Sequence, residues 1–294
     1  NFWGKIAGPI ANGINSITSV FNYVAIKEVP RATASLADNN GMFTLACGVA
    51  LAVALYSFTL PNTPPKGDTG PVSASKLLGL DALKLFKDRS FAVFMFCSFL
   101  ICIPLYFYFV NLGVYLSELK WTNMLEKTSL AQVSDVIFFL LLPFFLRRFG
   151  YKVTIFMGIA CWVARYFALG FSADGGGTQT ALIFAAILLH GACYDFLFIA
   201  GQLYVDEEAN ERIRGAAQGL IAFILWGVGS FVGTLLAGQV LAKHALAKPT
   251  AAGLAHDWKA IWLTPAWGAL AVLVLFVIFF RNPSRSSAPA SGQA

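Results

Sequence analysis

Four ionisable side chains, Asp135, Arg165, His190 and Asp195, interrupt runs of the sequence that are otherwise apolar. Burying a charge at the centre of a bilayer costs about 2.5–3.5 kcal/mol on insertion scales, so such residues are functional candidates by default. A carboxyl group in apolar surroundings can take up and release a proton, and one guanidinium group cannot neutralise two carboxylates. We therefore interpret the two acids and Arg165 as a proton-coupling group. The alternative is an ion pair of Arg165 with one acid that only holds helices together.

Helical spacing places further polar side chains next to these groups. Gln132 and Asp135 are three residues apart and share a helix face, so an amide and a carboxyl group can bind a polar ligand together. His190 and Tyr194 are four residues apart and share a face in the same way. Asp195 follows Tyr194 and is turned about 100° away around the helix. This geometry favours Asp135 as the proton carrier and Asp195 as a structural support or gate.

Aromatic residues are concentrated in the preceding apolar run, where Tyr106 and Phe109 follow Pro104. Rings beside amides and hydroxyl groups suit a flat, hydrogen-bonding ring that is bonded to a polyol. Aromatic residues at this density also pack helices together, because each ring buries a large apolar area. The residues alone leave both roles open.

The stretch from His190 to Asp195 also resembles an enzymatic motif. The letters HGACYD read as His-x4-Asp, the spacing of glycerolipid acyltransferases, in which the histidine deprotonates a hydroxyl group and the aspartate orients it. In those enzymes the motif lies at the membrane surface beside a phosphate-binding site. Here it is flanked by LIFAAILL and FLFIAG, with no basic phosphate pocket in reach. The flanking sequence therefore argues against an acyltransferase.

The elements that must position these residues are membrane-spanning helices. Of the 294 residues, 57% are hydrophobic and only 12% are charged, whereas an ordinary soluble domain carries about 25% charged residues. Roughly 20 apolar residues span a bilayer core. Seven runs approach or exceed this length: 42–60, 91–116, 129–146, 153–173, 178–205, 216–242 and 260–280. The sequence therefore predicts an all-α, polytopic membrane protein.

Basic residues alternate between the connectors of these runs. One set of connectors and the tail carry twelve Lys and Arg, and the alternate set carries five. The positive-inside rule therefore predicts that the connector 61–90 and the C-terminus are cytoplasmic. A nucleic-acid site would need a basic groove with stacking aromatic rings, and the sequence has no such pattern.

The five cysteines all lie within the apolar runs, and none forms a C-x-x-C pair or a metal-ligand spacing. We interpret them as small buried hydrophobic residues. The sequence therefore predicts neither a bound metal nor a cofactor.

The connectors also suggest how the chain is organised. Residues 61–90 form the longest polar connector, with a Pro/Gly-rich front and the stretch LLGLDALKLFKD, whose spacing predicts a short amphipathic helix. Six spans follow over 91–281, and 282–294 form a tail. One span, a long basic connector and then six helices are typical of twelve-helix transporters with two halves. We therefore expect 1–60 to be a remnant of an N-terminal helical half, with one or two helices, in a piece of a longer protein.

Several stretches are similar to one family. The sequence TLPNTPP, then SLAQVSDVIFFLLLPFFLRRFGYK, then HGACYDFLFIAGQLYVDEEANERIRGAAQG and HDWKAIWLTPA resemble the bacterial nucleoside:proton symporters, the nucleoside permeases of the major facilitator superfamily. The resemblance covers about residues 59–280. It implies a major-facilitator-type helical bundle, of which 91–281 would be the C-terminal six-helix half.

The resemblance also implies a nucleoside-binding cavity lined by six residues: Tyr106, Phe109, Gln132, Asp135, His190 and Tyr194. Positions 132 and 135 match an amide–carboxylate pair of the family, and positions 190 and 194 fall at aromatic cavity positions. At 106 and 109 a well-known member has amides instead, so we expect base recognition to differ. Asp195 matches the acid that follows in the same motif.

The expected function is proton-coupled nucleoside transport by alternating access across the inner membrane. The implied partners are the nucleoside, protons and the lipid bilayer, with a monomeric protein and no nucleic acid. Two alternatives remain from the residues: a transporter of a sugar or another polar metabolite, and a non-transporting membrane enzyme or receptor.

Overall fold

The computed structural model describes residues 41–62, 80–211, 213–251 and 253–281. Every element of regular secondary structure in these ranges is helical. The expectations for residues 1–40, for the front of the connector 61–90 and for the tail 282–294 lie outside the described residues. The first described helix, α1 (Gly41–Ser57), has 17 residues without a charge. It belongs to one compact unit, and the following helices, apart from Leu125–Lys127, form a second.

The first described helix of the second unit is short and lies where the sequence predicts one. Leu80–Lys87 form a 3₁₀-helix, in which Ala82 is buried while Leu83 and Phe86 are exposed. The long helix α2 (Arg89–Glu118) follows directly. Its N-terminus is capped by the Asp88 carboxylate, which accepts a hydrogen bond of 2.7 Å from the backbone N–H of Phe91.

The next helix, α3 (Met124–Ser172), contains 49 residues and is broken at Gly150. A straight helix of that length would measure about 74 Å, more than twice the bilayer core. Gly150 has φ 73° and ψ 177°, a conformation that favours glycine. The break divides α3 into a first arm, 124–149, and a second arm, 151–172. Each arm is long enough to cross the membrane, in agreement with two spans expected from the sequence.

The remaining helices are α4 (Gln179–Leu188), α5 (His190–Glu208), α6 (Arg214–Lys243) and α7 (Trp258–Phe279). α4 and α5 are bent by 43° at Leu189, and together they make one span. Of the helices in the described ranges, α2, α3, α6 and α7 are each long and apolar enough to cross a membrane, and the bent pair makes five. Counting the two arms of α3 separately gives six spans after α1.

Two of these helices contain a π-helical stretch. In α5 it covers Asp195–Ile199, and in α6 it covers Phe223–Gly229. π-helical turns are rare in proteins overall, and those that occur are frequently found at functional sites. The first stretch begins at Asp195, and the second contains Trp226, whose ring contacts Tyr194.

Glycines allow α6 to pack closely on α2, where small residues let helix backbones approach. A Cβ atom added at Gly229 would lie 2.8 Å from the Cys102 Cβ, and one added at Gly233 would lie 3.0 Å from the Cys102 carbonyl oxygen.

At the far end of α2, the Glu118 carboxylate binds the loop before α7. It accepts hydrogen bonds from the Ala255 N–H (2.8 Å) and the Trp258 indole (2.7 Å).

Candidate functional site

The first arm of α3 meets the bend between α4 and α5 at a close backbone contact. The Ser134 hydroxyl donates to the Leu188 carbonyl (2.5 Å) and accepts from the Gly191 N–H (3.0 Å). A Cβ atom added at Gly191 would lie 2.8 Å from the backbone nitrogen of Asp135. The absence of a side chain at Gly191 therefore brings α5 directly against the part of α3 that carries Asp135.

Three of the predicted site residues form a polar chain at this contact. The Nη2 atom of Arg165, on the second arm of α3, lies 3.0 Å from Nδ1 of His190. The Nε2 atom of His190 lies 3.8 Å from Oδ2 of Asp135. Residues that are 25 and 55 positions apart in the sequence thus converge on the first residue of α5.

Arg165 is fully buried, and aromatic rings surround its guanidinium group. The Cζ atom lies 3.6 Å from the centroid of the Tyr108 ring and 5.2 Å from that of Trp162, which are cation–π distances. Among the described residues, no carboxylate oxygen lies within 4.0 Å of the guanidinium nitrogens. Its Nε and Nη1 atoms have no hydrogen-bond partner in the described part of the chain. The buried cation is therefore held by rings and by His190, not by a direct ion pair.

The two acids differ in their surroundings. The Asp135 side chain is 30% exposed, while Asp195 as a residue is 5% exposed. Each has one buried carboxylate oxygen without a hydrogen-bond partner among the described residues, Oδ1 in Asp135 and Oδ2 in Asp195. Asp135 is thus the acid whose side chain is partly exposed and lies near the His190 ring.

A series of aromatic rings in contact with one another leads from His190 to the exposed side chains of Phe109 and Trp226. The Tyr194 ring lies 4.4 Å from the His190 ring and 6.4 Å from the Phe109 ring, measured between centroids. Phe109 in turn contacts Tyr106 at 5.9 Å. On the other side of Tyr194, the Trp226 ring of α6 lies nearly parallel to it, at 18° and 6.5 Å. These side chains form an aromatic wall, Tyr106, Phe109, Tyr194 and Trp226, next to the polar chain.

Six of the eight residues singled out in the sequence therefore form one connected group: Tyr106, Phe109, Asp135, Arg165, His190 and Tyr194. The other two, Gln132 and Asp195, make no side-chain hydrogen bond within the described ranges. Gln132 is exposed on the same helical arm as Asp135.

The sequence analysis did not single out some members of this region, among them Trp226 and Ser134. Trp226 lies in an apolar run without any charged neighbour, so only its aromatic character could have marked it. Ser134 is a hydroxyl residue between Gln132 and Asp135, and its place beside two polar candidates was the available signal.

A cleft in the described part of the second unit lies apart from these residues. It has a volume of about 900 Å³ and is lined mainly by apolar residues around Gly150. There the Tyr151 hydroxyl donates to Glu207 Oε1 at 2.6 Å. None of the polar chain or the aromatic wall lines this cleft. The described residues also contain no group of three His, Cys, Asp or Glu side chains arranged to hold a metal ion.

Comparison with known proteins gives a consistent result. Residues 10–285 match the protein family described as nucleoside H+ symporter. The chain is 39% identical over 250 residues to the Escherichia coli (strain K12) protein YegT, covering 85% of this chain and 58% of YegT. It is 31% identical over 251 residues to the xanthosine permease of the same organism, covering 81% of this chain and 57% of the permease.

The fold is similar to a solved structure as well. The crystal structure of the nucleoside transporter NupG matches with a TM-score of 0.61 and 26% sequence identity. The match covers 81% of this chain and 59% of NupG. The chain thus spans less than two thirds of the length of the relatives it matches.

Proposed function

Because the chain belongs to the nucleoside H+ symporter family, we propose that the protein moves nucleosides together with protons across a membrane by alternating access. The family is one of transporters, so the His-x4-Asp pattern is not an acyltransferase motif. The geometry of the site agrees with this, since His190 faces Arg165 and Asp135 and not Asp195. The observation that carries the proposal is a partly exposed carboxylate, Asp135, which is connected through His190 to the buried cation of Arg165 and lies beside the aromatic wall.

In the proposed binding mode the nucleobase packs against the rings of Tyr194 and Trp226, because every base has an aromatic face. Tyr106 and Phe109 line the same wall further along α2. Gln132 and Asp135 lie on one arm of α3 and would form hydrogen bonds with the polar edges of the base or the sugar. His190 contributes a polar edge between the ring-binding part and the acid.

We assign proton transfer to Asp135. A proton carrier must exchange with water on each side of the membrane in turn, and the Asp135 side chain is the more exposed of the two acids. Asp195 begins the π-helical stretch of α5 and is almost completely buried. We propose that it supports the bend of α5 or acts as a gate.

The organisation and orientation expected from the sequence are part of the same proposal. Residues 91–281 act as one six-helix half, with 61–90 as the connector from a preceding half that includes 1–60 and with 282–294 as a tail. The connector and the C-terminus face the cytoplasm, the protein lies in the inner membrane, and it functions as a monomer. This orientation rests on the distribution of Lys and Arg.

Loss of the aromatic wall is expected to weaken nucleoside binding. In the full-length protein, Tyr194→Ala and Trp226→Ala should each weaken binding by roughly 1–3 kcal/mol, the range measured for stacking of a base on an aromatic ring. Binding is measured by scintillation proximity with a tritiated nucleoside. Trp267→Ala on α7 is the matched control, because Trp267 is 60% exposed and packs on Phe167 away from the site.

The same assay separates the two classes of transporter. For a nucleoside transporter, unlabelled nucleosides compete with the tritiated ligand and free sugars do not. Competition by a sugar or another polar metabolite, without discrimination between nucleobases, would support the alternative major-facilitator function. Unchanged affinity in both alanine variants would place the nucleoside elsewhere in the protein.

The proposed orientation predicts which loops face outwards. Cysteines introduced at Gly176, between α3 and α4, and at Thr250, between α6 and α7, should react with a membrane-impermeant maleimide added to intact cells. A cysteine at Asn210, between α5 and α6, should react only after the membrane is opened. These reactions are measured in a background in which the five native cysteines are replaced. Labelling of position 210 from outside would reverse the orientation.

A further inference from the structure

His190 lies between a cation and a carboxylate, and the cation fixes its protonation. A guanidinium group carries only N–H donors and has no acceptor. In the contact of 3.0 Å, Arg165 Nη2 must therefore donate, and Nδ1 of His190 must accept with a free lone pair. Since Nδ1 carries no hydrogen, the ring is the neutral tautomer with its hydrogen on Nε2.

The hydrogen on Nε2 faces Asp135. The separation of 3.8 Å between His190 Nε2 and Asp135 Oδ2 is longer than the 2.7–3.2 Å of a hydrogen bond to oxygen, so a shift of about 1 Å would close it. Such a bond is roughly twice as strong to an ionised acceptor as to a neutral one. Protonation of Asp135 therefore weakens the attraction between these two side chains, and ionisation strengthens it.

The position of His190 in the fold connects this attraction to helix geometry. His190 is the first residue of α5, directly after Leu189, where α4 and α5 are bent by 43°. The close contact of Ser134 with Gly191 holds the same bend against the first arm of α3. A change in the distance between His190 and Asp135 therefore takes place one residue from the bend.

We propose that Arg165 is a positioning residue that holds His190 as a neutral Nε2–H donor, so that the bend between α4 and α5 responds to the protonation of Asp135. The proposal rests on the assignment of Asp135 as proton carrier. Arg165 is fully buried, and its side-chain hydrogen bond in the described part of the chain is to His190, so we assign it a role through that residue and not a contact with the substrate. The other ionisable side chains that contact the ring are Tyr108 on α2 and Tyr194 on α5.

Two substitutions of His190 distinguish a donor at Nε2 from any other role. The amide nitrogen of glutamine can occupy the place of Nε2, whereas the shorter asparagine reaches only the place of Nδ1. In the full-length protein, His190→Gln should keep at least half of the proton-driven accumulation of nucleoside, and His190→Asn should lose at least nine tenths of it. Exchange of nucleoside without a proton gradient is measured for each variant, and accumulation is compared as a ratio to that exchange, so that an effect on binding alone is separated from an effect on coupling. Equal accumulation by the two variants would overturn the proposal.

A spectroscopic measurement tests the role of Arg165 without transport. In full-length protein labelled with ¹⁵N-histidine, the His190 signals are assigned by their loss in His190→Gln. The wild type should show only the Nε2–H tautomer, and Arg165→Gln should show a mixture of tautomers or a protonated ring. If Arg165 only stabilised the fold, Arg165→Gln would lower the melting temperature without changing the tautomer of His190.

Failure of the positioning role of Arg165 and failure of the proposed transport function would give different results. An Nδ1–H tautomer of His190 in the wild type would overturn the positioning role, even if the protein transports nucleosides with protons. Absence of nucleoside binding by the wild type would instead overturn the proposed function, and the tautomer would still report on the Arg165–His190 contact.

Discussion

Asp135→Asn is expected to abolish accumulation of nucleoside against a gradient while leaving exchange across the membrane intact. Asparagine is nearly isosteric with the protonated acid, so the binding conformation is retained, but it cannot release a proton. Uptake is measured in vesicles of the full-length protein with an imposed proton gradient, and exchange is measured by counterflow without one. We expect accumulation to fall to simple equilibration, with somewhat weaker binding because Asp135 shares a helix face with Gln132.

Asp195→Asn is the matched comparison, because it makes the same chemical change at the buried acid on α5. We expect this variant to keep proton-driven uptake and to show a lower amount of folded protein in the membrane. If Asp135→Asn retained full proton-driven uptake with the pH profile of the wild type, Asp135 would not be the carrier. If Asp195→Asn alone lost accumulation, the two roles would be reversed.

Gly191→Ala is expected to disrupt the site by separating α5 from α3. An added Cβ atom would lie under 3 Å from backbone atoms of Ser134 and Asp135, which cannot move aside as a flexible side chain can. Overpacking of a well-packed core costs typically 1–3 kcal/mol, and we expect the upper end here because the obstacle is backbone. The change should lower the melting temperature in detergent and reduce nucleoside binding at the same time.

Gly268→Ala on α7 provides the control for this substitution. No heavy atom lies within 4 Å of a Cβ added there, so the alanine is accommodated. Alanine is favoured over glycine within a helix by up to about 1 kcal/mol, so this variant should be as stable as the wild type or slightly more stable. A loss of stability in Gly268→Ala equal to that of Gly191→Ala would show that the close contact with α3 is not the cause.

The positions of the membrane spans were predictable because burial in lipid requires long apolar runs. The division of α3 was predictable for the same reason, since Arg147, Arg148 and Lys152 separate two runs that are each long enough. The bend at Leu189 was not predictable from the apolar pattern, because the run 178–205 reads as one continuous span. It depends on contacts between distant segments, such as the Ser134 hydroxyl that bonds on both sides of the bend.

The candidate site was predictable to the extent that its members carry charge. Asp135, Arg165 and His190 are conspicuous in an apolar sequence, and the structure brings them together. Their pairing was not predictable, because a cation near two acids suggests an ion pair, and the guanidinium instead contacts a histidine and the Tyr108 ring. Trp226 carries no such mark, since tryptophan is as ordinary in a membrane helix as in a binding wall.

The π-helical stretch Asp195–Ile199 has a consequence for any mapping experiment on α5. A π turn holds nearly one residue more than an α turn, so a helical wheel drawn with 3.6 residues per turn loses its phase there. Two residues that are seven apart across this stretch, such as Asp195 and Gln202, are therefore not aligned on one face as they would be in a regular α-helix. Labelling or crosslinking scans should therefore use two separate wheels, one ending at Tyr194 and one starting at Ala200, and the accessible stripe they report will be offset between them.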